Sequence, residues 1–378
     1  MDIDKASPLL GGLSPTAFMH KHWHKKPLLI RQALPDFQPL LTRSALFALA
    51  GREDVEARLI WRQPRRGRDQ WHLQHGPFAR RALPTLKTPN WTLLVQGVDL
   101  HHTAAHALLN SFRFIPDARL DDLMISFATE GGGVGPHFDS YDVFLLQAQG
   151  RRRWRIGKRF DPGLRRDVPL KMLASFQAEQ EFVLEPGDML YLPPHFAHDG
   201  TAEAGECMTY SIGFRSPARA ELAQELLQRL ADHAAEELGE QRYRDPAQPA
   251  VRAPAAIPAA LQEFARRSVR AALHDPHELA RALGELLSEP KPQVWFEPGL
   301  AAGGRFGVAL DSRTRMLYDE QHVFINGESF RAAGQDARLI RQLADQRVLA
   351  APKVASLSAE ARRQLKIWCQ AGWMHPAR

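Results

Sequence analysis

The strongest limit on the fold of this chain is the spacing of its short apolar runs between about residues 90 and 215. Trp91–Val95, Asp122–Phe127, Val143–Gln147, Arg153–Ile156, Glu181–Leu184, Met189–Leu192 and Met208–Phe214 all read as strands. Between them stand Gly131–Gly135, Pro136, Gly150, Pro186-Gly187 and Pro193-Pro194. Runs this short, with turn residues at the gaps, predict a sandwich or barrel. Pro186-Gly187-Asp188 marks a turn between two strands.

The texture changes after residue 216. Ala220–Leu238 places Leu222, Leu226, Leu227 and Leu230 at helical spacing. Four prolines interrupt Arg244–Pro258, and Leu261–Leu287 resumes the helical pattern with a break at Asp275-Pro276. Such a module is either an oligomerisation element or a packing element. Ser288-Glu289-Pro290-Lys291-Pro292 reads as a linker. Beyond it, Arg315–Tyr318 and Val323–Ile325 read as strands, Asn326-Gly327 as a hairpin turn, and Ala337–Gln346 and Ala359–Gly372 as helices. The expected organisation is a β-rich domain over residues 1–216, a helical region over 217–288 and a small α+β, winged-helix-like module over 289–378.

Composition removes some classes. No apolar run has the length of a membrane span, and Met1–Pro8 lacks the apolar core of a signal peptide. Two distant cysteines, Cys207 and Cys369, argue for a reducing compartment and a cytoplasmic setting. The net charge of +6 permits an acidic partner without requiring one. Both ends of the chain are net basic and the middle net acidic.

The chemistry concentrates in Gly131–Asp139, GGGVGPHFD. His137 and Asp139 stand two positions apart with Phe138 between them, which on a strand puts both side chains on one face. A third ligand comes from a distant strand. Asp188–His198, DMLYLPPHFAH, supplies His198 just past a Pro-Pro turn, with His195 in the turn as the competing ligand. Two His and one Asp form the facial triad of non-haem Fe(II) oxygenases, leaving positions open for a chelating cosubstrate and dioxygen. Arg152 follows His137 by 15 residues, after the turn at Gly150. Its guanidinium suits the far carboxylate of 2-oxoglutarate. Arg152 and Trp154 share a strand face, and Arg151 and Arg153 point the other way. A His-x-Asp pair alone recurs by chance and reads as structural; the full set is specific. A nucleotide loop fails its context, because no Gly-Lys-Ser/Thr follows the glycines. A serine hydrolase fails for want of a Gly-x-Ser-x-Gly elbow.

These stretches resemble the JmjC-type ribosomal oxygenases of the cupin superfamily. The matches are DDLMISF (121–127), GGGVGPHFD (131–139), YDVF (141–144), GRRRW (150–154), EPGDMLY (185–191) and PPHFAH (193–198), with FMHKHWHKKPLLI (18–30) at the start. The resemblance spans most of residues 18–216; the C-terminal half matches in layout. It implies a double-stranded β-helix, iron on His137, Asp139 and His198, and 2-oxoglutarate on Arg152. It also implies a helical dimerisation region, and hydroxylation of an arginine in a large-subunit ribosomal protein. Ser211 is a candidate for a hydroxyl to the cosubstrate. Asp122 and Tyr141 are candidates for the substrate arginine, each with a plain alternative as a capping or core residue. The competing class is a non-catalytic metal-binding cupin acting as a regulator through its basic C-terminal module. A sugar-phosphate isomerase on the same barrel would need a fuller ligand set. The Ala337–Gln346 helix alternates Arg338, Arg341 and Gln342 with Leu339, Ile340 and Leu343, so sequence-specific DNA binding is not expected.

Overall fold

A computed structural model describes residues 2–65, 68–158, 163–237, 239–250, 252, 254–273, 276–299 and 306–377. The chain divides into two compact units, Met1–Ser216 and Pro217–Arg378.

The first unit is a jelly roll. Its strands are β1 (Leu28–Ile30), β2 (Ala57–Arg65), β3 (Arg68–His75), β4 (Trp91–Val95), β5 (Leu120–Ala128), β6 (Val143–Gly157), β7 (Gln180–Leu184), β8 (Met189–Leu192) and β9 (Ala197–Phe214). They form one sheet in the order β1-β8-β6-β9-β5-β4-β2-β3, with β7 also on β6. The long antiparallel pair β6 and β9 runs from Val143 opposite Gly213 to Gly157 opposite Ala197. The two runs expected as separate strands on either side of Gly150 are therefore one strand. Gly150 sits at φ 66° among register shifts between Gln147 and Arg152. The residue read as a turn is a β-bulge, which bends a strand without ending it. The β2–β3 hairpin lies outside the runs read as strands, because arginines at 58, 62, 65 and 68 break its apolar pattern.

Alternation on β6 sorts its side chains. Phe144 and Leu146 enter the main core beneath the N-terminal segment. Val143, Leu145, Trp154 and Ile156 join Leu184, Leu190 and Leu192 in a separate cluster on the other face. The N-terminal segment closes the main core through α1 (Pro15–Lys21), whose Ser14 side chain accepts from the Ala17 amide, with Pro15 as first helical residue. Phe18 from α1 is fully buried and packs within about 6 Å of the rings of Phe114, Phe144 and Tyr191. Helices α2 (Arg43–Leu49) and α3 (Thr103–Asn110) add Leu46, Phe47, Ala105 and Leu109 to the same core.

The second unit begins with α4 (Arg219–Glu237), α5 (Ala259–Ala272) and α6 (Pro276–Ser288). Leu238 and Asp275, where the first helical run was expected to end and the second to break, lie outside the described residues. A compact module follows: β10 (Gly307–Leu310), β11 (Met316–Tyr318), β12 (His322–Ile325), β13 (Glu328–Arg331), α7 (Gly334–Gln346), β14 (Val348–Leu349), α8 (Ala351–Ala355), α9 (Ala359–Gln370) and β15 (Met374–Ala377). Its strands make two small sheets, β14-β10-β15 and β11-β12-β13. Asn326-Gly327 forms the expected hairpin turn, both residues at positive φ. Helix α6 packs on the β11–β13 hairpin sheet, where Glu285 accepts from Ser329 Oγ at 2.6 Å. Arg229 of α4 pairs with Glu285 and Glu289. Among the described residues no helix is long and apolar enough to cross a membrane.

Phe18→Ala removes the ring that joins α1 to β6 and β8. A loss of about 3–5 kcal/mol in unfolding free energy is expected in denaturant titration, from lost burial and the cavity left. A loss under about 1 kcal/mol would show that the N-terminal segment is not part of this core.

Candidate active site

The Gly-rich segment and the start of β9 meet at a two-residue antiparallel bridge. The His137 amide donates to the His198 carbonyl at 2.9 Å, and the His198 amide donates back at 2.8 Å. His137 is thus held by an isolated bridge and not by the longer strand its spacing suggested. The bridge sets the two imidazoles with ring centroids 4.2 Å apart. Each Nδ1 lies 2.9 Å from a nearby carbonyl, that of Gly135 for His137 and that of Phe196 for His198. A carbonyl partner assigns the proton to Nδ1 and leaves the Nε2 lone pair for a metal. Asp139 brings Oδ2 to 3.6 Å from His198 Nε2. Among the described residues, one group of His, Cys, Asp and Glu side chains converges in this way: donor atoms of His137, Asp139 and His198 all lie within 4.8 Å of one another. The competing ligand His195 is absent from it. His195 is exposed at φ 62°, and it is its amide that serves the site, donating to the Asp139 carbonyl at 2.7 Å.

His198 is buried. Burial, and after it the neighbouring His137, pushes its imidazole down to about 4 from an ordinary 6.5. The ring therefore stays neutral at physiological pH, the form a metal needs.

Arg152 lies on the inward face of β6 at 3% exposure, while Arg151 and Arg153 are exposed on the other side. Arg151 pairs with Glu185 and Glu203, and Arg153 with Glu181 and Glu203. Arg152 Nε and Nη2 are buried with no hydrogen-bond partner among the described residues. A buried guanidinium with unmet donors and no ion pair among the described residues fits an incoming carboxylate. The two ε nitrogens and the carboxylate likewise fit Fe(II), so the donor set suits both groups.

Asp122 and Tyr141 come together from β5 and from the residues just before β6. At Gly213, between them, a Cβ would stand 3.7 Å from Asp122 Oδ1 and 3.9 Å from Tyr141 Cε2. Asp122 Oδ2 accepts from the Gly97 amide at 2.8 Å. Tyr141 is 38% exposed at the rim; partial burial, then Asp139 and Asp122, raise its phenol well above the ordinary range. Ser211 lies on the inward row with Met124 and Leu145. Among the described residues no hydrogen bond joins it to Arg152.

One supporting group had escaped the sequence reading. Asp142, next to Tyr141, is fully buried. Tyr191 donates its hydroxyl to Asp142 Oδ1 at 2.5 Å, and His24 Nε2 stands 2.9 Å from Oδ2. Two signals were available: the carboxylate heads an apolar strand, and FMHKHWHKK resembles the family's opening.

Residues 107–222 match the JmjC domain family, and residues 271–375 match a ROXA-like winged helix. A further match, to an AraC-like ligand binding domain, covers 175–287. The ribosomal protein uL16 3-hydroxylase of Escherichia coli is 36% identical over 285 residues, 74% of this chain and 73% of that one. A probable ribosomal oxygenase of Haemophilus influenzae is 37% identical over 209 residues, 54% of this chain and 50% of that one. Among solved structures, E. coli YcfD superposes with a TM-score of 0.80 at 31% identity, covering 95% of this chain and 97% of that one. YcfD in complex with cobalt and 2-oxoglutarate gives 0.77 at 30% identity, covering 97% and 99%.

The depressed His198 pKa has a pH signature in metal-free protein. Below 6.5 the unfolded chain takes up a proton at this position that the folded chain refuses until about 4. Stability from this group is therefore complete above 6.5 and lost as pH falls toward 4. Urea titrations in chelator at pH 7 and pH 4.5 should show a smaller drop for His198→Ala than for wild type. Equal drops would mean that His198 is not held neutral by burial.

Proposed function

The chain belongs to the JmjC ribosomal oxygenases, and from that premise we propose that it hydroxylates an arginine side chain of a large-subunit ribosomal protein. Fe(II), 2-oxoglutarate and dioxygen are the reagents of this reading. The observation that carries it is the convergence of His137, Asp139 and His198 in a jelly roll that also buries Arg152 with unmet donors. Bound together, iron and 2-oxoglutarate would let dioxygen oxidise an unactivated C–H bond, one oxygen atom entering the new hydroxyl and the other the succinate left as 2-oxoglutarate loses carbon dioxide.

The residues of the chain bind, orient and exclude water. His137, Asp139 and His198 would hold iron, with the Gly135 and Phe196 carbonyls fixing the two rings. Arg152 receives the distal carboxylate, and Ser211 offers it a hydroxyl from the Met124–Leu145 row. Asp122 and Tyr141 receive the substrate guanidinium, the carboxylate by charge-assisted hydrogen bonds and the ring by stacking. Cation and acid attract here, and the Gly97 amide already orients Asp122 for it.

The wider reading is a cytoplasmic homodimer with three regions: oxygenase, helical dimerisation region and winged helix. Leu227, Val269 and Leu279 on the helices of 217–288, and Leu273 at the end of α5, expose much of their side chains, which supports a partner surface there. The winged-helix match from residue 271, and the packing of α6 on the hairpin sheet, support counting α6 with the C-terminal module as well. That module does not read DNA sequence in this proposal. Leu339, Ile340 and Leu343 of α7 are core residues, and Arg341 is engaged by the Tyr318 ring and the Glu320 carbonyl.

Incubation with iron, 2-oxoglutarate and a uL16 fragment should add one oxygen atom to an arginine, read by mass spectrometry. Oxygen found only on histidine, or on no ribosomal protein, would remove the substrate assignment. Arg152→Ala should weaken 2-oxoglutarate binding by about 3–5 kcal/mol and leave metal binding close to wild type. Arg151→Ala and Arg153→Ala should bind the cosubstrate normally; a loss in either would move the carboxylate to the outer face. In light scattering, a mass near 85 kDa, twice the 42.5 kDa chain, is expected at micromolar concentration, and a value near 42.5 kDa would refute the dimer.

A further inference from the structure

The inward residues of β6 and β9 face each other in three rungs: Ile156 opposite His198, Trp154 opposite Gly200, and Arg152 opposite Ala202. The metal-side histidine stands at one end and the carboxylate-binding cation at the other. Trp154 fills the rung between. It is 5% exposed, with its ring centroid 5.8 Å from that of His198 and the Arg152 guanidinium 5.7 Å from its ring. The indole lies over Gly200, where a Cβ would come within 2.6 Å of it. Only glycine admits the ring in this place.

The indole Nε1 is buried and has no hydrogen-bond partner among the described residues, and the same holds for Arg152 Nε and Nη2. An unmet buried donor costs about 1–3 kcal/mol, and such groups are few in folded proteins. Here three unmet donors occupy adjacent rungs of one strand face. Water meets such a need poorly, because each water offers few acceptor positions and donates in return. A carboxylate only accepts, and its two oxygens have room for about four donors.

We propose that Trp154 donates its indole N–H to the distal carboxylate of 2-oxoglutarate, the carboxylate that Arg152 also holds. Trp154 is then a cosubstrate-binding residue and sets the preference for a dicarboxylate over a monocarboxylic 2-oxoacid. The inference rests on the oxygenase reading above and adds a donor that the triad and Arg152 do not supply.

The test uses the full chain loaded with zinc, which binds ligands without turnover. Dissociation constants are measured by calorimetry for 2-oxoglutarate and for 2-oxopentanoate, which keeps the chelating end and lacks the distal carboxylate. Trp154→Phe keeps an aromatic ring and removes the N–H. It should weaken 2-oxoglutarate binding about tenfold or more, as for a hydrogen bond to a charged group, and leave 2-oxopentanoate and zinc affinities unchanged. Equal weakening of both ligands would make Trp154 a wall of the pocket and overturn the proposal, as would no weakening of either. A second measurement needs no variant. In wild-type protein with labelled indole nitrogens, one N–H signal should move downfield with 2-oxoglutarate and stay in place with 2-oxopentanoate; no such selective shift would overturn the proposal. Wild-type protein that binds neither ligand would bring down the oxygenase reading itself, a result distinct from both.

Discussion

Two backbone hydrogen bonds between His137 and His198 join segments 61 residues apart in the chain, and the rest of the site is built around them. Each histidine uses its amide and carbonyl to hold the other and its Nδ1 to hold a nearby carbonyl, which leaves one nitrogen apiece free. Ligand geometry is thus set by main-chain bonds, which are stiffer than side-chain contacts. The His195 amide closes the third side on the Asp139 carbonyl. A site made this way is formed before a metal arrives, so binding need not pay for ordering the ligands.

The long β6–β9 pair carries this arrangement across the molecule. Its bulge at Gly150 lets one strand serve two parts of the sheet, so that Val143 and Leu145 line one stretch of the interior and Arg152 and Trp154 another. On the outer face, Asp142 ties the strand's entry to Tyr191 of β8 and His24 of the N-terminal segment. The aromatic cluster around Phe18 backs the same junction. The rim residue Tyr141 therefore sits on a rigid support although the residue itself is exposed.

Much of this was legible in the sequence, for physical reasons. A two-residue periodicity needs no tertiary information, so the inward phase of Arg152 and Trp154 and the outward phase of Arg151 and Arg153 could be read directly. The Asn326-Gly327 turn and the apolar spacing of α7 were legible because local chemistry decides them. Gly150 was misread because a glycine at positive φ looks the same in the sequence whether it ends a strand or bulges it. The β2–β3 hairpin was hidden because arginines at 58, 62, 65 and 68 interrupt its apolar pattern. The bridge that holds His137 and the cradle around Asp142 depend on contacts between distant segments, which spacing does not encode.

Arg152 has one further consequence. A buried cation whose donors find no acceptor among the described residues is a local weakness of the ligand-free protein. A ligand that brings the missing negative charge binds the folded state and not the unfolded chain, so it adds stability in proportion to the logarithm of its concentration above its dissociation constant. On the proposed reading, in which Arg152 receives 2-oxoglutarate, the protein with that cosubstrate bound is sturdier than the protein without it.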